Sequence, residues 1–123
     1  MSDAASPWYH GSPQRLRLLR AGSTVTRDRH LAEVFSHKPT LVCLEDDGTI
    51  RHDGRREGWL HVIDEPLRPD DLTPHPRTSM APGMEWLTAR PLRLRTIGPV
   101  PLDPAELLDD AILAELRRRA VGE

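Results

Sequence analysis

The chain has 123 residues, of which 37% are apolar and 29% charged, and its formal net charge is -2. That length is one domain able to bury one core without covalent staples, and the mixed charge signs describe a globular surface, which sets aside a second domain and a disordered tail. The near-neutral balance gives no global pull toward nucleic acid or anionic membrane, and the single cysteine, Cys43, leaves no internal disulfide.

Residues 1–7 are small and polar and predict a flexible lead, so that the single domain runs from 8 to 123. The opening carries neither a positive n-region nor an apolar h-region, and no window approaches the ~18 apolar residues of a membrane span; the expectation is a cytoplasmic protein without membrane contact. Trp8, Tyr9 and His10 read as a short strand closed by the turn residues Gly11, Ser12 and Pro13. Leu16, Leu18 and Leu19 fit either one helical turn or extended chain. Arg15, Arg17, Arg20, Arg27 and Arg29 form a local basic stretch, either a solvated face or a phosphate contact. A helix over 28–37 follows, capped by Asp28, with Leu31, Val34 and Phe35 on one stripe and Pro39 beyond its end. Residues 40–45 (TLVCLE) are strand formers, with the Cys43 thiol buried among Leu41, Val42 and Leu44, and EDDGTI signals a hairpin into a second strand at Ile50. WLHVI, residues 59–63, is the next strand, with both faces buried.

Prolines at 66, 69, 74, 76 and 82 exclude a central strand across 64–83 and predict a long ordered loop bordering a cleft. Strands are expected at 85–89 (EWLTA) and 92–97 (LRLRTI), the second alternating apolar residues with water-facing arginines. Asp103, Pro104 and Glu106 form a capping-box pattern that opens a C-terminal helix over 104–120, with Leu107, Leu108, Ile112, Leu113 and Leu116 as its buried stripe. His30, His37, His52, His61 and His75 match no zinc-ligand spacing, so no metal is expected. Ser12 in HGSP lacks the flanking glycines of a hydrolase nucleophile elbow.

The motif YHGS at 9–12 resembles the His-Gly-Ser/Thr element of the ADP-ribosyltransferase superfamily, in its poly-ADP-ribose polymerase and rifamycin-modifying branches. TVTRDRHLAEVFSHKP at 24–39 is similar to the strand and short alanine-containing helix of that superfamily, GWLHVIDEP at 58–66 to its central strand, and EWLTARPLRLRTIGPV at 85–100 to its last catalytic strand, turn and closing strand. These segments stand in the family's order from residue 8 to about 100. The resemblance implies an α+β domain: a small, bent, mixed but mainly antiparallel sheet with a short helix after the first strands and a C-terminal helix.

It also implies NAD-dependent transfer of ADP-ribose to an acceptor, which is a protein, nucleic acid or small molecule. In that reading His10 bonds the adenosine ribose of NAD, Gly11 presents its backbone to the nicotinamide amide, Ser12 completes the motif, and Glu85, which with His10 makes up the catalytic pair, is the carboxylate that holds the nicotinamide-ribose hydroxyl and favours the cationic charge developing there. Where the family carries a tyrosine this chain has Ser23, Thr24 and Val25, Thr24 being the equivalent by spacing, and Phe35 falls where some members stack a ring on nicotinamide. Read from the residues alone, His10 is equally a strand-end histidine bonding a carbonyl, Glu85 a solvent-facing strand residue and Phe35 a core residue. The alternative function is a catalytically weak module on the same scaffold that binds a nucleotide or a partner protein.

Overall fold

The computed structural model describes residues 7–44, 47–77, 80, 83–108, 111, 114, 115 and 118. In chain order its elements are β1 (Tyr9–Ser12), β2 (Leu18–Leu19), β3 (Thr24–Val25), α1 (Arg29–Phe35), β4 (Val42–Leu44), β5 (Ile50–His52), β6 (Gly58–Ile63), β7 (Leu72–Pro74), β8 (Trp86–Thr88) and β9 (Leu92–Val100). Two 3₁₀ turns, Pro69–Asp71 and Pro104–Glu106, accompany them. Leu18 and Leu19 take the extended alternative, pairing with Arg93 and Leu92 of β9.

The strands lie in the orders β1-β6-β9-β2, β3-β8-β7 and β4-β5, and every named pairing is antiparallel. Tyr9 and Thr26 join the first two groups by exchanging backbone bonds of 2.7 and 3.0 Å. The joined sheet curls into a half-barrel. Leu19 at one end of the strand order and Leu72 at the other reach a single apolar cluster with Val25 and Leu94, which Trp8, Ile63 and Trp86 extend. Thr88 fastens this curl. Its hydroxyl donates to the Arg20 carbonyl at 2.9 Å and accepts the Ser23 N–H at 3.1 Å, tying the β2–β3 connection to β8.

Helix α1 begins where expected, since Asp28 accepts the Leu31 N–H at 3.1 Å. Leu31, Ala32 and Val34 are buried, and the helix crosses β1 and β6 at two glycines. A Cβ on Gly11 would lie 1.9 Å from the Ala32 carbonyl oxygen, and one on Gly58 would lie 2.1 Å from Ser36 Oγ. Past the helix, Lys38 takes φ 56°, the left-handed conformation that ends a helix ahead of Pro39.

Three expectations need correction. The 64–83 segment is not irregular throughout: Pro69 starts a 3₁₀ turn and β7 pairs with β8, its Pro74 tolerated because β7 is the edge strand. Arg90 holds this segment down, donating to both Asp71 oxygens at 2.9 Å and to Glu65 at 3.0 Å. Cys43 is half-buried, because β4 has only β5 beside it. The C-terminal helix does not start at 104. Asp103 caps a 3₁₀ turn by accepting the Ala105 N–H, and Leu107 is extended at φ -79°, ψ 136°. Leu107 bridges His52, and the Leu108 N–H donates to the His52 carbonyl at 2.9 Å, which buries the Leu108 side chain. Beyond it Ala111, Ala114, Glu115 and Arg118 are helical, and the rest of the expected span, with residues 1–6, lies outside the described residues. Among the described residues no helix is long and apolar enough to cross a membrane.

Candidate functional site

Strand register brings distant parts of the chain together. Val25 lies opposite Trp86 and Thr24 opposite Leu87, so the same register carried one step further sets Thr26 opposite Glu85. Thr26 is itself bridged to Tyr9 at the start of β1, and α1 crosses β1 at Gly11. The result is an open cavity of about 220 Å³, walled by Tyr9, His10 and Gly11 from β1, Thr24 and Thr26 beside them, Ala32 and Phe35 from α1, then Lys38, Pro39 and Glu85.

His10, Gly11, Thr24, Phe35 and Glu85 therefore share one wall system although four segments supply them. His10 Nδ1 lies 2.7 Å from the Thr24 carbonyl, which only accepts, so the proton is on Nδ1. Burial lowers the His10 pKa, with the charge of Lys38 and the neighbouring His61 adding to the effect against the opposing pull of the Thr24 bond. A neutral His10 then has an Nε2 lone pair free to accept a ligand hydroxyl. The carbonyl-bonded reading and the ligand reading of this histidine are compatible, since they use different nitrogens.

His61 stands behind it, fully buried, with the ring centroids 6.2 Å apart. Its Nε2 accepts the Leu16 N–H at 2.9 Å and its Nδ1 donates to the His10 carbonyl at 3.2 Å. Burial lowers its pKa too, so it is a neutral crosslink that fixes the backbone carrying His10. Gly11 lines the cavity through its backbone, but the space its missing side chain leaves is filled by the Ala32 carbonyl. Helix packing, not approach of a ligand, requires that glycine. Ser12 is off the cavity wall; it is buried, and its Oγ accepts the Gln14 N–H at 3.0 Å, which turns the chain out of β1.

Phe35 does double duty, touching the Leu31, Val34 and Ile50 cluster and facing the cavity. Met80, from the proline-rich segment, packs on that cluster as well. None of the described residues of 64–83 lines the cavity, although the His75 N–H donates to the Glu85 carbonyl at 3.0 Å. Sequence reasoning missed Tyr9 and Lys38 as wall residues. A compositional signal was present: the chain has one tyrosine, one phenylalanine and one lysine, and all three stand on this wall.

A second polar group forms where the C-terminal segment docks. His37 and His52 stack at 5.3 Å, His37 Nδ1 donates to the Arg56 carbonyl, and His52 Nδ1 accepts the Gly54 N–H. The His52 proton is consequently on Nε2, 3.9 Å from Glu106, whose other oxygen meets His30 at 2.6 Å. This is a clasp on β5 in which His52 offers a donor and not a lone pair. Compared with family models, curated proteins and solved structures, the chain matches none of them.

Proposed function

We propose that the His10–Glu85 cleft binds NAD and transfers its ADP-ribose to an acceptor. The observation that carries this reading is the convergence of His10, Gly11, Thr24, Phe35 and Glu85 on one cavity; the roles proposed for them come from the resemblance to ADP-ribosyltransferases. The neutral His10 accepts a hydroxyl of the adenosine ribose through Nε2. Glu85 accepts a hydroxyl of the nicotinamide ribose and favours the positive charge that grows there as the glycosidic bond breaks. That bond's electron pair leaves with neutral nicotinamide; the acceptor's nucleophile forms the new bond to the same carbon and gives up a proton. Tyr9 and Phe35 supply rings for the nicotinamide and partly replace the aromatic that Thr24 lacks. The open cavity of about 220 Å³ is smaller than the roughly 300–1,000 Å³ of pockets that enclose a whole drug-sized ligand, so parts of the dinucleotide extend beyond its walls.

Thr24 in place of the family tyrosine favours the second reading, a module on the same scaffold that binds a nucleotide without cleaving it. Calorimetric titration with NAD, run beside an assay for released nicotinamide, separates the two. Binding with release supports the transferase, binding without release supports the module, and no binding removes both nucleotide readings.

A further inference from the structure

Resting on the nucleotide reading of the cleft, we infer that Lys38 is its anion-binding residue and takes the diphosphate of a nucleoside diphosphate ligand. Lys38 is the chain's only lysine beside sixteen arginines, and it is exposed on the cavity wall. No ion pair engages its ammonium among the described residues. Its position is held from both sides. The Lys38 N–H donates to the Phe35 carbonyl at 3.1 Å, and the preceding His37 is buried, bonded to Arg56 through ring and carbonyl, and stacked on His52. Pro39 follows and restricts the chain ahead of it.

The backbone makes a second, independent point. Lys38 is the one non-glycine residue with positive φ among the described residues, at a helix-terminating position where glycine or asparagine is the unstrained choice. A side chain at that strained position projects a compact point charge, well suited to phosphate, over a wall that otherwise offers the rings of Tyr9 and Phe35, the His10 acceptor and the Glu85 carboxylate. Base or nicotinamide against the rings, ribose at His10 and diphosphate at Lys38 is the arrangement that places each chemical part of such a ligand. Glu85, on the same wall, repels the diphosphate toward the lysine.

The test titrates the parent, Lys38→Gly and Lys38→Arg with inorganic pyrophosphate, ADP, NAD and adenosine. Lys38→Gly removes the charge and relieves the backbone, so it should melt no lower than the parent. The inference expects its affinity for pyrophosphate and ADP to fall at least 10-fold and that for adenosine to stay unchanged, with Lys38→Arg intermediate. ADP should also protect Lys38 from acetylation, read by mass spectrometry of the one lysine-bearing peptide. Pyrophosphate and ADP binding that is lost in Lys38→Gly, with NAD unbound, sustains the anion site while removing the NAD reading. Binding of NAD or ADP equally tight in Lys38→Gly, or no binding of pyrophosphate and ADP by the parent, overturns the inference whatever the fate of NAD cleavage.

Discussion

Gly11 shows how one residue can satisfy a motif for a reason other than the motif's. A methyl group there would meet the Ala32 carbonyl at 1.9 Å and the Ser36 nitrogen at 2.7 Å, both backbone atoms that retreat only if α1 moves. Gly11→Ala should therefore destabilise the chain by roughly 1–3 kcal/mol or more. Gly98→Ala, where nothing lies within 4 Å, should fall within about 0.5 kcal/mol of the parent; thermal or urea melts of the two variants make the comparison, and equal losses would refute the packing argument. His61 makes a pH-dependent contribution. Its folded pKa is lowered from 6.5 by burial, and those of His10 and His52 are lowered with it for the same leading cause. The unfolded chain thus binds protons that the folded chain refuses, so this stability is complete above about pH 6.5 and is lost as pH falls below it. The melting temperature should drop between pH 7 and pH 5, and His61→Asn should lower it at neutral pH while flattening that slope. An unchanged slope would show that His61 is not held neutral.

At the scale of elements, short strands depend on specific ties. The 3₁₀ turn at Pro69–Asp71 and β7 hold to the body through Arg90, whose fork meets Asp71 and whose remaining nitrogen meets Glu65. The Arg90 bonds to Asp71, and the Arg93 N–H and Arg90 bonds to Glu65, lower both carboxyl pKa values. Arg90→Met should lower the melting temperature and speed amide exchange across 64–74, where Ala89 and Asp71 share a 2.7 Å backbone bond, while the β1 amides stay protected at the parent's rate. Uniform loss of protection would show that the segment is not a separate unit. Sequence pattern was informative where contacts are local: Asp28 and the 31, 34, 35 spacing gave α1, EDDGTI gave the pairing of β4 with β5, and alternation gave β9. It failed where the partner is remote. Nothing in the periodicity around Arg90 selects Asp71 and Glu65, and the capping pattern at Asp103 could not reveal that Glu106 turns to His30 or that Leu107 and Leu108 attach to His52.

Across the whole molecule, the curl of the sheet is what makes a site. Sequence order sets His10 and Glu85 75 positions apart, and it took the resemblance to set them in one cleft; the Thr26 bridge to Tyr9 and the β3–β8 register supply the physical route. The wall residues Tyr9 and Lys38 were not read as such, because their neighbours in space, α1 and β3, are set by tertiary packing around Gly11. The central claim is that Glu85 acts on rate and His10 on binding. A carboxylate beside the nicotinamide ribose interacts more strongly with the cationic transition state than with bound NAD. Replacing it by the amide of equal volume removes that charge, at a cost on the order of 10²-fold or more in rate. The decisive measurement is nicotinamide release as a function of NAD concentration for the parent, Glu85→Gln and His10→Ala, each first shown to melt cooperatively. The account predicts that Glu85→Gln loses kcat by that factor with NAD affinity nearly unchanged, and that His10→Ala weakens NAD binding. Turnover in Glu85→Gln equal to the parent's, or no release by the parent itself, would contradict it.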